Sequence, residues 1–378
     1  MRGQYESALK LKQQNHSLKD ERENSMKNSK AYFRGCLLGG AVGDAYGYPV
    51  EFLKLAEIRE EYGMEGITEL LSNEESNKAL FSDDTQLTTF TVDGLLWADS
   101  RAKNRGIYAY TPCIFYAYQK WLYTQTGSFA DETYKFLLNG EVLDWEGLFA
   151  RRGPGTTSLK TLAGCINGKY GTIKNRINNS KGSGAVMRAA PIGLYFYNDS
   201  KMAFKIGCES GAITHGSPSG YLPAGCFAFI ISGIIQGKDL EQSVFDVFSE
   251  LRECEGCEET YEALKLAVTL AREEKTGIGS SELREAELSD LTSLGEGWSG
   301  EEALAMAVYC ALKYPNDFRK ALWLAVNHDG NSDTIGAICG NLLGAYSGSL
   351  EIPFSWIQKV ELSDLMVHGA DKMLEAIT

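Results

Sequence analysis

From about Tyr32 to the C-terminus, apolar residues recur at helical rather than alternating spacing. Residues 302–313 read as an amphipathic helix stopped by Pro315, and residues 318–327 as another. A third apolar face, with Leu87, Phe90, Leu95 and Leu96, predicts a helix over 86–97, and a long apolar run predicts one over 335–346. Strand-like alternation is confined to residues 66–71. The pattern predicts a mainly α fold, one multi-helix domain spanning residues 31–378.

Two rows of glycines interrupt this pattern at a four-residue period: Gly35, Gly39, Gly43 and Gly47, then Gly336, Gly340, Gly344 and Gly348. At helical periodicity each row lies along one face. A helical glycine costs about 0.5–1 kcal/mol relative to alanine, so eight of them need a reason. Close backbone approach supplies one, and predicts two central helices packed tightly, against each other, with polar motifs at their ends. A membrane helix pair is excluded because Arg34 and Asp44 interrupt the first row.

Residues 1–30 are poor in large apolar side chains and rich in Lys, Glu, Asn, Gln and Ser. They cannot pack a core by themselves, and read as an appended polar extension with the composition of a disordered terminus or a partner-binding arm. The chain carries a formal charge of −13 and a pI near 5.0, which argues against nucleic-acid and anionic-membrane partners. The longest apolar run, near 224–237, is shorter than the roughly 20 residues that span a bilayer, and the N-terminus has no hydrophobic signal region. A cytoplasmic location is expected. The nine cysteines are scattered, with Cys36, Cys226, Cys310 and Cys339 inside apolar stretches, as reduced core thiols are. Cys254 and Cys257 form a lone C-x-x-C with no second pair to complete a zinc site.

Candidate chemistry concentrates at predicted helix starts. Ser82-Asp83-Asp84-Thr85 precedes one helix, and Asn327-His328-Asp329-Gly330-Asn331-Ser332-Asp333-Thr334 precedes another. One Ser or Asp there is an ordinary N-cap. Paired carboxylates with flanking hydroxyls exceed what capping requires, and offer the hard oxygen donors that Mg²⁺, Mn²⁺ and Ca²⁺ prefer. The helix dipole opposes a cation there, so Asp83, Asp84 and Asp333 would have to act together. Two small-residue loops, 151–157 and 181–188, suit an anionic ligand, although glycine-rich turns are common. His215 and His328 are the two histidines in motif-like loops.

In order along the chain, Gly39-Gly40-Ala41-Val42-Gly43-Asp44 with Glu51, Ser82-Asp83-Asp84-Thr85, residues Gly184 to Pro191, Thr214-His215 and Ser332-Asp333-Thr334 resemble the ADP-ribosylglycohydrolase family. The resemblance implies an all-α fold with a binuclear Mg²⁺ or Mn²⁺ cleft that binds ADP-ribose and cleaves at its distal ribose. It implies Ser82, Asp83, Asp84, Asp333 and Thr334 as metal ligands, and Glu51 as the glutamate of a flap over the metals. Glu51 and Asp84 are the candidates for proton transfer. Gly182, Ser183, Gly184 and Met187 match the diphosphate loop; Gly153, Pro154, Gly155 and Thr156 match the ribose-side loop, and His215 joins the substrate set.

One position departs from the family pattern: Asn331 stands where a carboxylate ligand is common. An amide keeps an oxygen donor but loses a charge, and Asp329 is the candidate to compensate. The expected substrate is an ADP-ribosylated protein, first of all ADP-ribosyl-arginine. Two other readings compete. A metal phosphohydrolase of the HD type fits His328-Asp329 but needs more histidines than four. An immunity-type protein would bind and block an ADP-ribosyltransferase through residues 1–30, with or without hydrolysis.

Overall fold

The computed structural model describes residues 27, 29–277 and 279–378. The architecture is all-α: among the described residues there is no strand, only isolated bridges pairing Ala79 with Val360 and Gly182 with Ser299. Among the described residues sixteen α-helices follow in order, the first half being α1 (Lys30–Gly47), α2 (Leu55–Tyr62), α3 (Asp83–Arg105), α4 (Tyr110–Thr126), α5 (Thr156–Ala163), α6 (Ala190–Tyr195), α7 (Ser200–Ala212) and α8 (Pro218–Ile235). The second half holds α9 (Leu240–Leu251), α10 (Glu258–Arg272), α11 (Ser280–Ser293), α12 (Gly300–Lys313), α13 (Phe318–Val326), α14 (Ser332–Ser347), α15 (Phe354–Lys359) and α16 (Ser363–Ile377).

The glycine rows form the axis of the molecule. A methyl on Gly35, Gly39 or Gly43 would overlap the carbonyl oxygen of Gly344, Gly340 or Gly336, and the reverse substitutions collide in the same way. The descending partners make α1 and α14 antiparallel, in backbone contact along their length. Asn341 strengthens the seam by donating from Nδ2 to the Cys36 carbonyl at 2.7 Å. Gly348 closes it, its carbonyl carbon only 2.8 Å from where a methyl on Gly35 would stand. It caps α14 with φ +86°, a left-handed conformation that favours glycine.

Around this axis pack α16, α12 and α13, while α3 lies beside α4 and α7 beside α8. Helix α8 is long and apolar enough to cross a bilayer, yet 94% of it is buried in the core. All nine cysteines are free, and Cys254 and Cys257 are half-buried and packed against the core.

Three expectations need correction. Residues 66–71 form no strand. Ile67 and Leu70 are buried three positions apart, with Thr68 and Glu69 exposed between them, and the backbone of Ile67 pairs with a side chain: its N–H donates to Asn327 Oδ1 at 2.8 Å, and Asn327 Nδ2 donates to its carbonyl at 2.9 Å. The acidic residues Asp83, Asp84 and Asp333 lie in the first turns of their helices rather than ahead of them, because Ser82 and Asn331 take the N-cap positions, while residues 327–330 do precede the second helix. The body also starts earlier than Tyr32. Lys27 donates from its backbone to the Ile235 carbonyl at 2.8 Å and stands over the Tyr346 ring at 4.0 Å. The partner-binding role considered for residues 1–30 falls almost wholly outside the described residues.

Candidate active site

The antiparallel seam brings the C-terminus of α1 onto the N-terminus of α14. Beyond the last glycine pair, Gly47 lies against the peptide joining Ser332 to Asp333, where any Cβ would overlap the backbone. Asp44, one turn earlier and fully buried, reaches sideways to the start of α3. Its carboxylate accepts from the backbone N–H of Ser82 at 2.8 Å, and from the N–H of Thr85 at 2.9 Å and its hydroxyl at 2.5 Å. One carboxylate on α1 therefore satisfies donors that the first turn of α3 leaves open. This role of Asp44 escaped the sequence reading, since a lone acid within a small-residue helix carries no periodic signal.

With both helix starts anchored to α1, their side chains interlock. Ser82, at the start of α3, favours the ionised form of Asp333, and Thr334, at the start of α14, favours that of Asp84. Ser82, Asp83, Asp84, Asp333 and Thr334 are all buried, so the five residues nominated as ligands share one enclosed place. Burial disfavours their charged forms, and the carboxylates repel one another. Burial, then the Asp333 charge, raises Asp44 to about 7. Burial first, with the Asp333 charge adding to it, raises Asp83 to about 8 against the pull of the Gly155 N–H. Asp84 is pushed well up by burial and by Asp333, and burial raises Asp333 to about 6.

Glu51 follows α1 in a short 3₁₀ segment and is buried beside this cluster. Burial, then Asp333, Asp83 and Asp44, push it up to about 9. Its Oε2 and the Oδ2 of Asp84 are buried with no hydrogen-bond partner. Next to it, exposed Phe52 stacks on exposed Trp298 with centroids 5.8 Å apart and planes 13° apart, while Lys54 pairs with Glu296 at 2.9 Å. The turn holding residues 296–298 thus clasps the segment that carries Glu51.

The two glycine loops reach the same place. Asp83 donates its backbone N–H to the Arg152 carbonyl at 2.9 Å, and its Oδ2 accepts from Gly155 N–H at 3.1 Å. Gly153, left-handed at φ +59°, has room for a methyl only 3.3 Å from the Tyr48 ring and 3.7 Å from Glu51 Oε2. Pro154 is half-buried, and Gly155 and Thr156 are exposed where α5 begins. In the second loop, Gly182 and Gly184 lie over the His215 ring, and Ser183 donates its N–H to the Trp298 carbonyl at 3.1 Å. Met187 is buried beneath the loop, its carbonyl accepting from the Thr88 hydroxyl at 3.3 Å.

Of the two further ligand candidates, Asn331 engages its amide nitrogen elsewhere, whereas Asp329 turns away from the cluster. Asn331 Nδ2 donates to Ser183 Oγ at 2.9 Å and to the Gly297 carbonyl at 3.0 Å. The carbonyl has no proton to give, which fixes the amide orientation and explains why an amide serves where a carboxylate would repel. Asp329 stands apart from the cluster: its Oδ1 accepts from Leu55 N–H at the start of α2 at 2.7 Å, and its side chain is 40% exposed beside Lys54. His328 spends both ring nitrogens on the carbonyls of Asp329 and Ala325, which removes the support that its sequence position lent to a phosphohydrolase.

A bound metal would have to fit this donor set. Among the described residues no three His, Cys, Asp or Glu side chains stand in a ready ligating group. The set nevertheless suits a hard divalent cation: carboxylates and hydroxyls from two helix starts, mutually destabilised as anions, with a buried oxygen of Asp84 unpartnered.

Fold and site together define a hydrolase of ADP-ribose glycosidic bonds. The family model described as ADP-ribosylglycohydrolase matches residues 25–378, and the chain belongs to that family. Its members are generally dependent on a divalent metal. The ADP-ribosylhydrolase ARH3 of Mus musculus is 26% identical over 360 residues, covering 89% of each chain. The ADP-ribosylarginine hydrolase Tri1 of Pseudomonas putida (strain GB-1) is 22% identical, over 90% of this chain and 77% of that one. A solved structure titled ADP-ribosylglycohydrolase-related protein complex superposes with a TM-score of 0.57 at 21% identity, covering 92% of this chain and 99% of its own.

Proposed function

We propose that this chain is a cytoplasmic enzyme that removes ADP-ribose from arginine side chains of proteins, with two divalent cations, Mg²⁺ or Mn²⁺, held by Ser82, Asp83, Asp84, Asp333 and Thr334. The observation that carries the reading is that α1 joins two distant acidic segments in one buried cluster: Asp44 accepts from Ser82 and Thr85 at the start of α3, while Gly47 lies against the Ser332–Asp333 peptide at the start of α14. The arginine linkage draws support from the similarity to a relative named for that activity.

Cations held there would offset the carboxylate repulsion and supply Lewis-acid orientation of the distal ribose hydroxyls and a water. The chain's own groups do the rest. Loop 153–156 abuts Asp83 and Glu51 and so positions the distal ribose, while the glycines of loop 182–184 let the diphosphate approach closely. The C1″–N bond to the guanidine breaks through an oxocarbenium-like state as the water oxygen bonds to C1″. Glu51 gives a proton to the departing nitrogen and Asp84 takes one from the water.

The test is incubation of a protein ADP-ribosylated on arginine with the enzyme and Mg²⁺ or Mn²⁺, with EDTA as control. Free ADP-ribose is expected only with metal. Glu51→Gln and Asp84→Asn should each lower kcat by about 10²–10⁴; near-native rates in both would remove the assignment of roles. Release from ADP-ribosyl-serine in preference to ADP-ribosyl-arginine would overturn the linkage.

A further inference from the structure

Beneath the loop 182–184 lies a buried relay that reaches the site through His215. We propose that Arg188 and Thr214 are positioning residues that fix the tautomer of His215, so that an Nε2–H and not a lone pair faces the gap between Gly182 and Gly184. The use of that donor rests on the reading of the loop as a diphosphate site; the tautomer itself does not.

Arg188 is fully buried, stacked over the Tyr118 ring with its Cζ 4.2 Å from the centroid. A guanidinium has donors only. Its Nη2 donates to Thr214 Oγ1 at 2.6 Å, which uses one lone pair of the hydroxyl. Thr214 is itself fully buried, and its hydroxyl has one further partner, His215 Nδ1 at 2.8 Å. With Arg188 donating, the hydroxyl proton has Nδ1 as its acceptor. Were Nδ1 protonated instead, two donors would converge on the Thr214 oxygen and a buried O–H would be left with no acceptor.

The ring is also kept to a single proton. Burial, and then the Arg188 charge, hold His215 down to about 3. A neutral ring whose Nδ1 accepts must carry its proton on Nε2.

That nitrogen is placed where only glycine leaves it uncovered. A methyl on Gly182 would lie 3.3 Å from Nε2, and one on Gly184 would lie 3.2 Å from Nε2 and 3.0 Å from Cε1. Neither glycine has a left-handed φ, so close approach rather than backbone freedom explains them. The exposed donor suits an acceptor-rich, anionic group such as a diphosphate oxygen. Arg188 lends its charge from below without contacting the ligand.

The test is long-range ¹H–¹⁵N NMR on the full chain at pH 7, with the His215 signals identified by their absence in His215→Gln. The expected spectrum shows a protonated Nε2 and an unprotonated Nδ1. Thr214→Val should mix the tautomers and weaken ADP-ribose binding about tenfold, the loss of one hydrogen bond to a charged group, while Thr214→Ser retains both. A protonated Nδ1 in the unmodified protein overturns the relay whatever the variants do. So does a Thr214→Val protein with native spectrum and affinity. Absence of ADP-ribose release by the unmodified protein would sink the proposed function and leave the tautomer result standing.

Discussion

Gly47 lies against the backbone nitrogen of Asp333, at a contact too close for any Cβ. The register of the α1–α14 seam therefore sets the place of a carboxylate in the site. Gly47→Val should push the start of α14 away and abolish divalent-cation binding, at a cost of about 1–3 kcal/mol. Gly43→Val, in mid-seam against the Gly336 carbonyl, should lower stability by more. Thermal melts and Mn²⁺ titrations of the two variants check this; intact Mn²⁺ binding in a folded Gly47→Val protein would contradict it.

Asp44 holds the first turn of α3 from outside the helix. Asp44→Asn keeps one acceptor but turns an amide N–H towards a backbone N–H. The expected loss is about 1–3 kcal/mol in stability together with weaker metal binding, measured by denaturant unfolding and calorimetry.

Asn331 ties α14, the Gly182 loop and the turn at Gly297 together through one amide. Asn331→Ala should raise KM about tenfold by loosening the loop, with metal stoichiometry unchanged. If instead it removed a metal ion and left KM alone, the amide would be a ligand.

The buried acids give the metal-free protein a definite pH dependence. Their folded values, about 6 for Asp333, 7 for Asp44, 8 for Asp83 and 9 for Glu51, all lie above the roughly 4 of unfolded chains. The folded state thus binds more protons, and stability is fully present below about pH 4 and lost as pH rises through those folded values. In EDTA, Tm should fall steadily between pH 5 and 9, and Mg²⁺ should restore it most at the alkaline end. A Tm that rises over this range in EDTA would refute the account.

The glycine rows were legible because a four-residue period survives in one dimension, and close approach is the physical reason for glycine within a helix. The candidate ligands could be read from their types at helix starts. Asp44 could not, since its partners lie on another helix and its neighbours are small and apolar. Asp329 and Asn331 were ambiguous for a related reason: composition marks them as oxygen donors, while their use depends on Leu55 and Gly297, which only the folded chain brings near. Residues 66–71 misled because a short alternating run does not fix the backbone: the folded segment buries Ile67 and Leu70, three apart, and its bonding partner is the amide of Asn327.

The central claim is that the starts of α3 and α14 jointly hold divalent cations. Its most direct measurement is calorimetric titration of the metal-free protein with Mn²⁺, beside Asp84→Asn and Asp333→Asn. Two equivalents in the native chain, with loss of binding when either helix start is altered, is the predicted result. Undiminished binding in both variants would contradict it.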